Sequence, residues 1–192
     1  DRWRTERDAI YNQIMERGWS PTRKAFKQHY TTDVLDASLL RMSTVGFITP
    51  TDPMWLSTLA AMDDELVADS LVYRYDPEAS PDGLRGSEGT FSLCTFAYVD
   101  SLARAGQLDK ARITFEKMLT YANHLGLYSE EIALTGEQIG NFPQAFTHLA
   151  LVDAAITLDR QLDLTPPATT TRQPSIPTPQ GVTETEGAEG TP

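Results

Sequence analysis

Apolar residues in the first 164 positions recur mostly at three- and four-residue intervals, the spacing of helices that bury one face. Residues 1–17 place Trp3, Ile10 and Ile14 on one side and stop at Gly18, a residue suited to the left-handed position after a helix. Residues 36–44 (DASLLRMST) predict a short helix. Thr51-Asp52-Pro53 supplies an N-cap and a first-turn proline for a helix whose Trp55, Leu59, Met62 and Leu66 are spaced 4, 3 and 4. The run LVYRY, residues 71–75, is the best strand candidate, and a turn-rich loop follows at residues 76–89.

Residues 90–103 are apolar almost all round, which predicts a helix buried on most sides. It ends at Gly106, and residues 108–123, with Ala111, Phe115, Met118 and Ala122, make its amphipathic partner in an antiparallel hairpin. After Gly126 a loop over residues 127–140 leads to Asn141-Phe142-Pro143 and a last helix reaching about Arg160. The predicted fold class is all-α, with small extended pieces in the long loops. From Thr165 the composition turns to Thr, Pro, Gly and Glu, with too little apolar surface to offset ordering entropy, so residues 165–192 read as a disordered tail behind a folded unit of residues 1–164. Gly106-x-Leu108-x-x-Ala111 and Gly140-x-Phe142-x-x-Ala145 match at a spacing of 34, the period of helical-hairpin solenoids, although no third copy precedes them.

Charge narrows the function. The 192 residues carry 16 Lys and Arg against 27 Asp and Glu, a net charge of −11. Such a chain, without a basic cluster, disfavours nucleic acid and anionic membrane as partners. No stretch approaches the ~18 apolar residues of a spanning helix. The single cysteine, Cys94, lies in an apolar run, which excludes an internal disulfide and suits a reducing, cytoplasmic setting. Asp1-Arg2-Trp3-Arg4 opens directly in a helical pattern, as a piece of a longer chain would.

Three patches are polar where helix packing does not require it. The loop DGLRGSEG, residues 82–89, offers Arg85 and Glu88 either to sugar hydroxyls or to one another as a solvated surface pair. In GLYSEEI, residues 126–132, a carboxylate buried against Tyr128 and Ile132 would serve as a general acid or base, whereas an exposed pair would be a capping feature. Because neighbouring residues point different ways, at most one of Glu130 and Glu131 is expected in a site. In GEQIGNFPQAFTH, residues 136–148, Asn141 reads as an N-cap or a ligand, and His148 as a satisfied rim histidine. His29, His124 and His148 lack metal-ligand spacing with one another or with Cys94, and no nucleophile-elbow, phosphate-loop or dinucleotide fingerprint occurs.

The series GWSPTRKAFKQHY, DASLLRMSTVGFI, LVYRYDPEASPDGLRGSEGTFSLC, NHLGLYSEEI and GNFPQAFTHLALVDAA resembles, in order and spacing, the C-terminal part of glycoside hydrolase family 15, and within it the bacterial glucoamylase-like and trehalase members. The resemblance covers about residues 1–160 and implies part of an (α/α)6 toroid of helical hairpins with its active site among loops at one end. It implies hydrolysis of α-linked glucosides with inversion, which uses two carboxyl groups about 6.5–9.5 Å apart. The family's general base falls on Glu130, with Glu131 beside it as a lesser candidate. Its R-x-x-E sugar-holding pair falls on Arg85 and Glu88, and Asn141, Phe142 and Gln144 match a segment that shapes the site wall.

The family's general acid lies upstream of residue 1, so residues 1–192 alone should be inactive. Ala97 stands where relatives commonly carry Trp, which would either widen a subsite or reflect a different aglycone. The resemblance implies a small carbohydrate substrate, trehalose ahead of maltose-type oligosaccharides, with no metal or organic cofactor. Half a toroid exposes apolar helix faces, so a homo-oligomer is expected of the isolated piece. The competing expectation is a helical-repeat interaction module with Glu130 exposed and no catalysis.

Overall fold

The computed structural model describes residues 1–80 and 88–164; Arg85 and the expected tail lie outside the described residues. Six helices dominate: α1 Arg2–Arg17, α2 Arg41–Thr44, α3 Pro53–Leu66, α4 Ser92–Arg104, α5 Leu108–Leu119 and α6 Ala145–Leu164. Among them lie seven two-residue strands: β1 Trp19–Ser20, β2 Ala25–Phe26, β3 Val67–Ala68, β4 Leu71–Val72, β5 Thr90–Phe91, β6 Glu131–Ile132 and β7 Gln138–Ile139. All pairings are antiparallel, in the ladders β1–β2, β3–β4 and β5–β6–β7.

Local chemistry sets the element ends. The Asp52 carboxylate accepts the Met54 N–H at 2.8 Å ahead of Pro53, so α3 starts as its sequence dictates. Trp55, Leu59, Met62 and Leu66 are then all buried along one stripe. At Val67 the chain becomes extended and reverses through Asp69 and Ser70, both with positive φ (49° and 68°), to pair β3 with β4. The strand expected over residues 71–75 is therefore cut to Leu71–Val72. Tyr75 makes only an isolated bridge to Asp36, and the Arg74 carbonyl accepts the Ala37 N–H at 2.7 Å, which anchors the 3-10 turn Ala37–Leu40 that leads into α2.

α4 is the central element. Ten of its residues are buried, including Phe96, Tyr98, Val99 and Leu102, and it packs against both α5 and α6. Gly106, at φ 79°, makes the turn into α5. α5 stops at Leu119 instead of continuing to residue 123, because the Asn123 side chain accepts the N–H groups of Leu125 and Leu127, both at 2.9 Å, and folds the chain into a loop. Edge-to-face contacts Phe96–Phe115, Phe96–Tyr128 and Tyr128–His148 tie α4, α5, the loop and α6 together.

Four expectations need correction. Gly18 is right-handed (φ −82°), and glycine is required there because a Cβ would stand 2.6 Å from the Ile14 carbonyl oxygen. α1 buries no residue fully and Trp3 is 86% exposed, so only the C-terminal end of its stripe, at half-buried Ile14 and Met15, reaches the core. Asn141 is not an N-cap: α6 begins at Ala145, and the Asn141 backbone is spent on pairing with Glu130. The 34-residue echo also dissolves, since Gly106 joins two helices whereas Gly140 follows strand β7.

Candidate active site

The β5–β6–β7 sheet gathers the candidate carboxylates at the N-terminal end of α4. Phe91 stands opposite Glu131, and Glu131 opposite Ile139. The first amide of α4, that of Ser92, donates to the Glu130 carbonyl at 3.0 Å, so the position of Glu130 is read directly off the start of the buried helix.

Glu130 is held from its other side by the segment after β7. Its N–H donates to the Asn141 carbonyl at 2.9 Å, and the Asn141 N–H donates back to the Glu130 carboxylate Oε2 at 3.1 Å. Gly140, at φ 77°, lies against the same side chain. The neighbouring segment is fixed by side chains: Ser129 Oγ donates to the Glu131 carbonyl at 2.6 Å, Thr147 Oγ1 to the Ser129 carbonyl at 3.1 Å, and Gln138 Nε2 to the Tyr121 carbonyl at 2.6 Å. His148 donates from Nδ1 to the Gln144 carbonyl at 2.6 Å and accepts the Tyr128 N–H at Nε2. Both contacts are met by one neutral tautomer, so His148 is the satisfied rim histidine its sequence suggests.

Glu131 points elsewhere. Its Oε2 accepts the Gly89 N–H at 2.8 Å, across the sheet from Asn141, so the paired acids divide between the two flanks of β6. A Cβ at Gly89 would stand 2.7 Å from the Ile132 carbonyl oxygen, which explains the glycine beside that contact. Glu88 lines an open cleft of about 540 Å³ with Tyr73, Asp76, Glu78 and Ile139. Glu130 is not among the residues lining that cleft. Gln144 closes the loop locally: its N–H donates to the Tyr128 carbonyl, and its side-chain amide lies 3.0 Å from Thr147 Oγ1.

Arg74 is a further candidate residue beside Glu88 that sequence reading missed. Its guanidinium donates to Glu88 Oε1 at 2.6 Å and to the Tyr75 hydroxyl at 2.7 Å, and it stacks on the Tyr75 and Phe91 rings at 4.5 and 4.9 Å. An arginine in the middle of the aromatic run LVYRY was the available signal. Beneath it, burial first, and then the Asp36 and Glu88 carboxylates, push the Cys94 thiol up to about 12 against the opposing pull of Arg74. Cys94 is thus a packing residue.

Chemically, the arrangement presents the Glu130 carboxylate, with one oxygen held by a backbone donor and the other without a hydrogen bond among the described residues, and, apart from it, an arginine–carboxylate pair whose Glu88 lines a cleft. Among the described residues, no three His, Cys, Asp or Glu side chains group as metal ligands, and no helix is long and apolar enough to cross a membrane.

Comparison with known proteins follows the same lines. The family model described as Glycosyl hydrolases family 15 matches residues 1–156. A trehalase of Thermoplasma acidophilum is 41% identical over 159 residues, covering 82% of this chain and 27% of that protein. A trehalase of Mycobacterium tuberculosis is 43% identical over 159 residues, covering 82% and 23%. The chain thus spans about a quarter of the length of these curated relatives. The solved structure "Glycosidase Wild Type" superposes with a TM-score of 0.67 at 19% identity, over 79% of this chain and 43% of that one, a likeness of fold. Helical hairpins with short strands in their loops, and the extent of the family match, lead to one conclusion: this chain is a member of glycosyl hydrolases family 15, folded as part of its (α/α)6 toroid.

Proposed function

We propose that the polypeptide carrying this chain hydrolyses α-glucosidic bonds with inversion, with trehalose as the first substrate to test, and that Glu130 is its general base. The observation that carries this reading is the seating of Glu130. Oε2 accepts the Asn141 N–H, which orients the carboxylate, while Oε1 has no hydrogen-bond partner among the described residues and can take a proton from water. The trehalase relatives support the substrate class.

In this reading the general acid comes from the remainder of the polypeptide, at the ~6.5–9.5 Å separation an inverting pair needs to admit water. Residues 1–192 alone are then inactive. Glu88, held by Arg74, and Arg85 hold sugar hydroxyls, Glu131 braces the sheet through Gly89, and Gln144 shapes the wall. No cofactor takes part. The buried Cys94 thiol suits a reducing, cytoplasmic compartment. The apolar residues left exposed on α6, among them Phe146 and Leu149, suit self-association when residues 1–192 are produced alone.

The test is glucose release from trehalose and maltose by the full polypeptide, native against Glu130→Gln, with the product anomer followed by NMR. The expected result is β-glucose as first product and a loss of about 10²–10⁴-fold in the variant. Full activity in the variant would remove Glu130 from the reaction. Absence of hydrolysis by folded native protein would favour the interaction-module reading.

A further inference from the structure

Ser129 is 1% exposed, and a hydroxyl so placed is costly unless it is hydrogen-bonded. Its Oγ donates to the Glu131 carbonyl at 2.6 Å, two residues on, so this hydrogen bond closes a ring around the backbone of Glu130. Both backbone torsions of Glu130 lie inside that ring. Tyr128 and Ser129 are buried in succession, whereas an extended strand buries alternate residues, and the regular pleat of β6 starts only after Glu130. The hydroxyl thus governs the stretch of chain that the strand ladder does not.

The other polar groups of Ser129 are tied as well. Its N–H donates to the Gln138 side-chain Oε1 at 3.1 Å, and its carbonyl accepts Thr147 Oγ1 at 3.1 Å. Gln138 is held in turn by the Tyr121 carbonyl just after α5, and Thr147 is buried in the first turn of α6. Ser129 is therefore anchored to the end of α5 and the start of α6, and its hydroxyl carries that anchorage across Glu130.

The carboxylate depends on those torsions. The Glu130 N–H donates to the Asn141 carbonyl, and the Asn141 N–H returns to Oε2. Backbone and side chain of Glu130 meet one residue, so a rotation of the Glu130 backbone carries Oε2 away from its donor. Loss of the Ser129 hydroxyl opens the ring and releases that rotation, and a misplacement of about 1 Å costs a reacting group about 10²-fold in rate. We propose that Ser129 is a positioning residue, aligning the Glu130 carboxylate through the backbone between them; the inference rests on the reading of Glu130 as the general base.

The test is a double-mutant cycle on the full polypeptide that carries this chain, with α-D-glucosyl fluoride as substrate and fluoride release as readout. Fluoride departs without help from a general acid, so the rate reports the activation of water. Ser129→Ala is expected to lower kcat by about tenfold or more with KM changed by less than about twofold, the pattern of an interaction made in the transition state. In a Glu130→Gln background the same substitution should cost less than about twofold, because its effect runs through the carboxylate. Equal losses in the two backgrounds would make Ser129 a structural residue and overturn the proposal, as would native kcat in Ser129→Ala. Should Ser129→Ala fail to fold, Ser129→Cys keeps the size, has only a weak donor and goes through the same cycle under the same criteria. The two failures are distinguishable. Native kcat in Glu130→Gln removes the base and this proposal with it, whereas a deep loss in Glu130→Gln beside native kcat in Ser129→Ala removes the proposal alone.

Discussion

Gly140 and Glu130 are in such close contact that a Cβ on Gly140 would stand 2.8 Å from the Glu130 Oε2 and 2.9 Å from its Cβ. Gly140 also has φ 77°, a conformation that costs a residue with a Cβ about 1–2 kcal/mol. Gly140→Ala is therefore expected to displace the carboxylate. In steady-state kinetics on the full polypeptide, kcat should fall by about 10²-fold with little change in KM, the pattern of a lost transition-state interaction. An unchanged kcat would show that the seating of Glu130 has no role in the reaction.

In the proposed site Arg74 acts by holding Glu88. Lysine keeps the charge but cannot stack between Tyr75 and Phe91 while donating to both Tyr75 and Glu88. Loss of a charge-assisted hydrogen bond is worth about 1.5–3 kcal/mol, so Arg74→Lys should lower kcat/KM at least tenfold. Glu88→Gln should have a similar effect, and the double variant should be little worse than either single one. Additive losses would mean that the two residues act separately.

The Cys94 thiol, at about 12, stays protonated at pH 8. A thiol-specific disulfide reagent at that pH should leave native protein unlabelled and label one thiol per chain after denaturation. Rapid labelling of the native state would show that the α4 packing opens readily.

The Asp63 carboxyl is held below its ordinary value: burial works to raise it, but hydrogen bonds from Lys110 and Tyr98, with the Lys110 charge, outweigh that. A carboxyl lowered in the folded state contributes stability that is present above its unfolded value, near ~4, and is lost as pH falls through the folded one. Thermal melts should show Asp63→Asn well below native at pH 7, with the gap narrowing below about pH 4. A gap constant with pH would remove the ionic contribution.

The sequence was legible where burial is periodic. Trp55, Leu59, Met62 and Leu66 declare α3, and the all-round apolar character of α4 announces its central place. The same reasoning placed α1 but not its burial, because Trp3 and Ile10 have the spacing of a buried face but are exposed. Two-residue strands are too short to leave an alternating pattern, so the sheet that organises the site was hidden. The divergence of Glu130 and Glu131 follows from strand geometry, yet which of them meets Asn141 depends on a pairing that residue spacing does not encode. Arg74 escaped notice because its partner Glu88 lies across a loop.

β5 and β6 are neighbours in space, but the whole α4–α5 hairpin separates them along the chain. Closing a long loop costs entropy that a hairpin of adjacent helices does not incur. The hairpin supplies that closure by returning the chain to the start of α4, where β6 pairs with β5 directly after Glu130. The turn at Gly106 thus helps set the place of a carboxylate whose strand lies far from it along the chain.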